Sequence, residues 1–116
     1  MIQEKIEIAK SAAKQIAQIE GISSAYVDDY NKFGSFQVVV CLDLNERKKP
    51  KTKNFNLRKI SIEIKKIIKD TKEISTFGMG IDSPKRMYDK FTYRGKTDST
   101  FIGYEKSYIM VDFIVT

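Results

Sequence analysis

The chain contains no histidine and no tryptophan, and only one cysteine and two prolines among its 116 residues. Without histidine there is no Ser-His-Asp or Cys-His triad, no imidazole general base, and none of the commonest zinc or iron sites. Carboxylates, lysine and tyrosine remain for proton transfer. No pattern of them singles out a catalytic group, so the expectation is a protein that is not an enzyme. A lone cysteine, Cys41, permits no intrachain disulfide and no cysteine metal cage. It stands in an apolar run and reads as a small buried hydrophobe. The acids Asp28, Asp29, Asp43, Asp82, Asp89 and Asp98 show neither an EF-hand nor an Asp-X-Asp spacing, and no metal is expected. The stretch Phe77-Gly-Met-Gly80 lacks the third glycine and following helix of a dinucleotide site, so no cofactor is expected either. No apolar run approaches the ~20 residues of a membrane span. The first residues carry acids where a secretory leader has a basic start and an apolar block. A cytoplasmic protein is expected, or a virion component under the assembly reading below.

Charge is abundant but unevenly placed. The net charge is +6. Residues 45–72 hold eleven Lys/Arg against three Asp/Glu, a net of +8, while the remainder holds ten against twelve, a net of −2. One segment therefore supplies the whole positive balance, which points to an acidic partner. Hydrophobic residues make up 41% and charged residues 31%, the composition of a folded domain and not of a disordered chain. Residues 1–116 read as a single domain.

The strongest periodicity lies in residues 35–45. Phe36, Val38, Val40, Leu42 and Leu44 alternate onto one face, with Val39 and Cys41 apolar on the other. Such a strand belongs inside a sheet. Before it, Ile2, Ile6, Ala9, Ala13, Ile16 and Ile19 recur at three- and four-residue steps, predicting a helix over 2–20 closed by Gly21. Residues 22–30 alternate as a strand, and residues 31–34 supply a turn. Residues 45–54 form a basic loop that Pro50 keeps from being helical. A second helix starts at Asn54 or Asn56 and runs to about Lys72, its core stripe being Leu57, Ile60, Ile64, Ile67 and Ile68. Residues 74–81 read as a strand weakened by Gly78 and Gly80, where a bulge or bend is expected. Residues 107–116 form the last strand. Residues 84–106 are too long for an ordinary loop. They read as a projecting loop or ribbon, residues 91–93 pairing with 100–102 across a connection of 94–99. The predicted class is α+β: a two-layer sandwich with two helices on one face of a four-stranded, mainly antiparallel sheet, in the order α-β-β-α-β-β.

Two constellations suit nucleic acid. On the second helix Arg58, Lys59, Lys65, Lys66, Lys69 and Lys72 cluster opposite the core stripe, joined by Arg47, Lys48 and Lys49 of the loop before it. Cations so spaced can track phosphates; the competing reading is a solvated face balanced by Glu63 and Asp70. In the ribbon, Lys85, Arg86, Tyr88, Lys90, Tyr93, Arg94 and Lys96 interleave charge with aromatic rings, which can stack bases. Its alternative is a strand pair whose lysines guard an edge. Tyr26 and Tyr30, expected on one sheet face, and Ile62, apolar amid the helix's charges, are candidate interface residues. The leading expectation is a non-enzymatic module binding an acidic partner, foremost nucleic acid. One alternative is a self-assembling structural protomer, such as a phage or viral head–tail or tail-completion component, forming a homo-oligomer through the open sheet face or ribbon. Another is a small inhibitor or adaptor that binds an acidic protein surface.

Overall fold

The computed structural model describes residues 2–44, 51, 54–81, 86–104 and 108–116. In order the elements are α1 (Ile2–Ile16), β1 (Ile22–Tyr30), β2 (Ser35–Leu42), α2 (Leu57–Asp70), β3 (Ile74–Ile81), β4 (Arg86–Tyr93), β5 (Lys96–Tyr104) and β6 (Tyr108–Val115). β1, β2, β6 and β3 pair antiparallel in that order as one sheet, and β4 and β5 form a separate two-stranded ribbon. The two strands with apolar residues on both faces, β2 and β6, take the inner positions. Both helices pack on one face of the sheet, so the molecule is the two-layer α+β sandwich that the periodicities predict.

The core follows from the alternation. Phe36, Val38 and Val40 lie opposite Phe113, Val111 and Ile109, and all six are buried. α1 brings Ala9, Ala12, Ala13 and Ile16 onto them, and α2 brings Ile60, Ile64 and Ile68. Each fully buried isoleucine removed to alanine costs about 2–5 kcal/mol.

α1 ends four residues earlier than its apolar stripe suggests. Beyond Ile16 the backbone tightens, Gln18 and Ile19 donating to the carbonyls three residues back at 3.1 Å each, and Gly21 then takes a positive φ of 97°. A Cβ there would stand 2.8 Å from Ile60 Cδ1. The end of α1 is therefore seated close on α2, and the positive φ at Gly21 is one that favours glycine. α2 starts after Asn56, whose side chain accepts from the Lys59 amide at 3.1 Å, and it stops at Asp70, two residues short of expectation. Thr71 closes it, its hydroxyl donating to the Ile67 carbonyl at 2.9 Å. The expected irregularity at Gly78 and Gly80 is instead at the start of β3, between Ile74 and Thr76.

β1 carries two bulges, after Ile22 and after Val27. The second inserts Asp28, and this overturns one expectation. Tyr26 lies opposite Val39 on the uncovered face, but Tyr30 lies opposite Phe36 and stacks on it at 5.7 Å. The two tyrosines are on opposite faces because one extra residue reverses the alternation. Tyr30 extends a row of rings on the helix side: Phe36 stacks in turn on Phe113 at 5.8 Å, and Phe77 of β3 lies opposite Phe113.

The ribbon is also longer and more tightly turned than expected. Tyr93 pairs with Lys96 and Phe91 with Asp98, not with residues 100–102. The connection is only Arg94 and Gly95, with φ of 52° and 75°. Two successive positive φ values define the type I′ hairpin turn, whose twist matches that of the strands.

Candidate interaction surfaces

Three surfaces present the residues singled out from the sequence. The first is the exposed side of α2. Arg58, Lys59, Lys65, Lys66 and Lys69 are all exposed there. At about 100° per residue, Arg58, Lys65 and Lys69 fall to one side of Ile62, which is 56% exposed, and Lys59 and Lys66 to the other. Among the described residues the one ion pair of known geometry joins Lys51 to Asp43 at 3.6 Å. The helix's cations are therefore not tied to Glu63 or Asp70. Lys72 lies beyond the helix, exposed in the turn toward β3. Arg47, Lys48, Lys49 and Lys85 lie outside the described residues.

A cleft of about 460 Å³ runs between the end of α1 and α2, floored by Ile19, Ile60 and Ile67. Its walls carry Lys59 and Lys66 together with Glu63 and Asp70. With Glu20 just past the end of α1 the lining holds three acids against two lysines, so this cleft is not part of the cationic surface.

The second surface is the ribbon. Arg86, Tyr88, Lys90 and Tyr93 hold backbone positions along β4; Arg94 and Lys96 are exposed at the tip. Thr92 and Thr97 bridge the strands through their hydroxyls at 3.0 Å. Among the described residues neither β4 nor β5 packs on any other element. The ribbon and α2 therefore do not form a contiguous basic site, and the two constellations expected to act together are separate.

The third is the sheet face turned away from the helices, which sequence reasoning only partly identified. The register places Tyr26, Val39, Met110 and Gly80 in one row across all four strands, with Cys41 and Tyr108 beside it. Val39 is only 8% exposed although no described helix or strand layer covers this face, because its row neighbours shield it. Asp29, Gln37, Asp112 and Gly78 form the next row. Gly78 and Gly80 leave open space where side chains would stand. No Lys or Arg occupies a register position on this face. In a chain of net charge +6, this face is acidic. The Tyr26 hydroxyl titrates above its ordinary 10.0, first because the face partly strips it of water and then because Cys41, Asp28 and Tyr108 disfavour a nearby phenolate. Alternation places Asp112 and Met110 on one face of the last strand, but only the strand order shows that they meet Asp29 and Tyr26 across β2. At the β1–β2 turn Phe33 projects into solvent with the Lys32 ammonium 5.3 Å from its ring centre.

No group of three or more metal-ligating side chains occurs among the described residues. No helix among them is long and apolar enough to cross a membrane. No protein-family model matches the chain, and no curated protein matches it.

Proposed function

We propose that the protein is a non-enzymatic structural protomer that assembles with copies of itself, in the manner of small α+β components of phage or viral head–tail and tail-completion rings. The observation that carries this reading is the ribbon. A two-stranded hairpin alone is marginally stable in water, yet among the described residues no other element packs on β4 or β5. A projecting strand pair on which no other described element packs is suited to docking on a neighbour. The uncovered sheet face points the same way, since it exposes Tyr108 and Ile114 in part and its row neighbours bury Val39. Sedimentation velocity across a range of protein concentrations tests the reading. Discrete oligomers growing in with concentration are expected; a monomer throughout would end it.

A second reading rests on a separate observation, the unpaired cations of α2. Arg58, Lys65, Lys66 and Lys69 flank Ile62 on one exposed side of the helix that suits nucleic acid, and binding there would be electrostatic with little base specificity. It is compatible with assembly, because it uses a different surface. Affinity for an arbitrary oligonucleotide should fall severalfold as salt rises, and the K65E/K66E/K69E variant should lose most of it. Salt-independent binding, or none at low salt, would rule this reading out.

A further inference from the structure

We propose that the ribbon of one copy lies across the acidic, uncovered sheet face of the next. This inference rests on the assembly reading and names the two surfaces that meet. Charge is the first argument. The ribbon carries Arg86, Lys90, Arg94 and Lys96 against Asp89 and Asp98, a net positive element. The sheet face carries Asp29 and Asp112 and no cation at any register position. Opposite signs on two surfaces of the same chain favour meeting between copies over like-to-like pairing. The acidic face would also repel nucleic acid, which makes a protein its fitting occupant.

Shape gives the second argument. β4 and β5 have eight and nine residues, about 26–30 Å, and β6, one of the two inner strands of the face, has eight, about 26 Å. Gly78 and Gly80 on edge strand β3 leave the face open beside Met110 and Asp112. A flat ribbon can approach the sheet closely there without displacing a side chain. The third argument is need. The sequence of the ribbon includes Tyr88, Phe91, Tyr93, Phe101, Ile102 and Tyr104, and among the described residues no other element packs on its strands. Because ribbon and face are different surfaces, the contact is heterologous. Repeated from copy to copy, it closes into a ring or runs on as a filament.

The test uses the full chain. Cys41, the only cysteine, is half-buried on this face, so its rate of reaction with a maleimide dye reports cover. That rate should fall several-fold between dilute and assembled protein. D29K/D112K and K90D/K96D should each weaken self-association by about tenfold or more, worth ~1.4 kcal/mol, and the four changes combined should restore most of it. Circular dichroism on each variant separates lost association from lost folding. If the wild-type chain associates while Cys41 stays as reactive as in the monomer, the ribbon docks elsewhere and this inference is overturned, with the assembly reading intact. Protection of Cys41 without rescue in the combined variant overturns it too, and assigns the cover to another element such as α2. A chain that never associates sinks both.

Discussion

Single side chains decide where the elements of this fold begin and which way they face. Asn56 takes an extended backbone, with φ of −143°, and accepts from the Lys59 amide, satisfying one of the first donors of α2. Asn56→Ala should cost about 1 kcal/mol of stability by chemical denaturation, with the native spectrum unchanged; a neutral result would mean that packing alone sets the helix start. Tyr26 reports the chemistry of the uncovered face. Its raised titration means that the fold favours the neutral phenol, so the site contributes stability below pH 10, lost as pH climbs through the raised midpoint. Ultraviolet titration of the monomer should show a phenolate step above the ordinary value. Tyr26→Phe should remove that step, and Asp28→Asn should move it back toward 10.0.

Among the elements, α2 is the most legible from sequence. Its isoleucines at three- and four-residue spacing define the buried side, and Ile60, Ile64 and Ile68 are buried as that spacing requires. The ribbon is less so. Residues 84–106 declare a long excursion, yet the turn lies at Arg94 and Gly95 and not across 94–99, because Arg94 at positive φ is a conformation that residue preference disfavours. The ribbon is an insertion in a simple hairpin: Ile81 lies opposite Ile109 in the β3–β6 pairing. Replacing residues 83–107 with a short Asn-Gly turn should therefore leave the sandwich folded, with cooperative unfolding and unchanged helical circular dichroism. Collapse of that shortened chain would show that the ribbon stabilises the body.

At the scale of the whole molecule the ribbon sets the shape. The chain extends 63 × 31 × 17 Å with a Cα radius of gyration of 17.6 Å, against about 13 Å for a globular chain of this length. X-ray scattering from dilute, monomeric protein should give a radius well above that globular value. A radius near it would mean that the ribbon folds back on its own sheet in solution. Charge divides in the same way as shape, with cations on α2 and the ribbon and acids on the open face of the sheet. Such a molecule presents unlike surfaces in different directions, which suits head-to-tail association.

The class of the fold, its two helical stripes and the inner placement of β2 and β6 were determined by the sequence, because each depends on local periodicity and on how much apolar surface must be buried. The face on which Tyr30 lies was decided by tertiary structure: one bulge residue, Asp28, shifts a period of two by a full step, and no alternation count reveals it. The strand order belongs to the same category. Only pairing at a distance brings Asp112 into Asp29's row and Met110 into Tyr26's, joining acidic and apolar residues scattered in the sequence on one face.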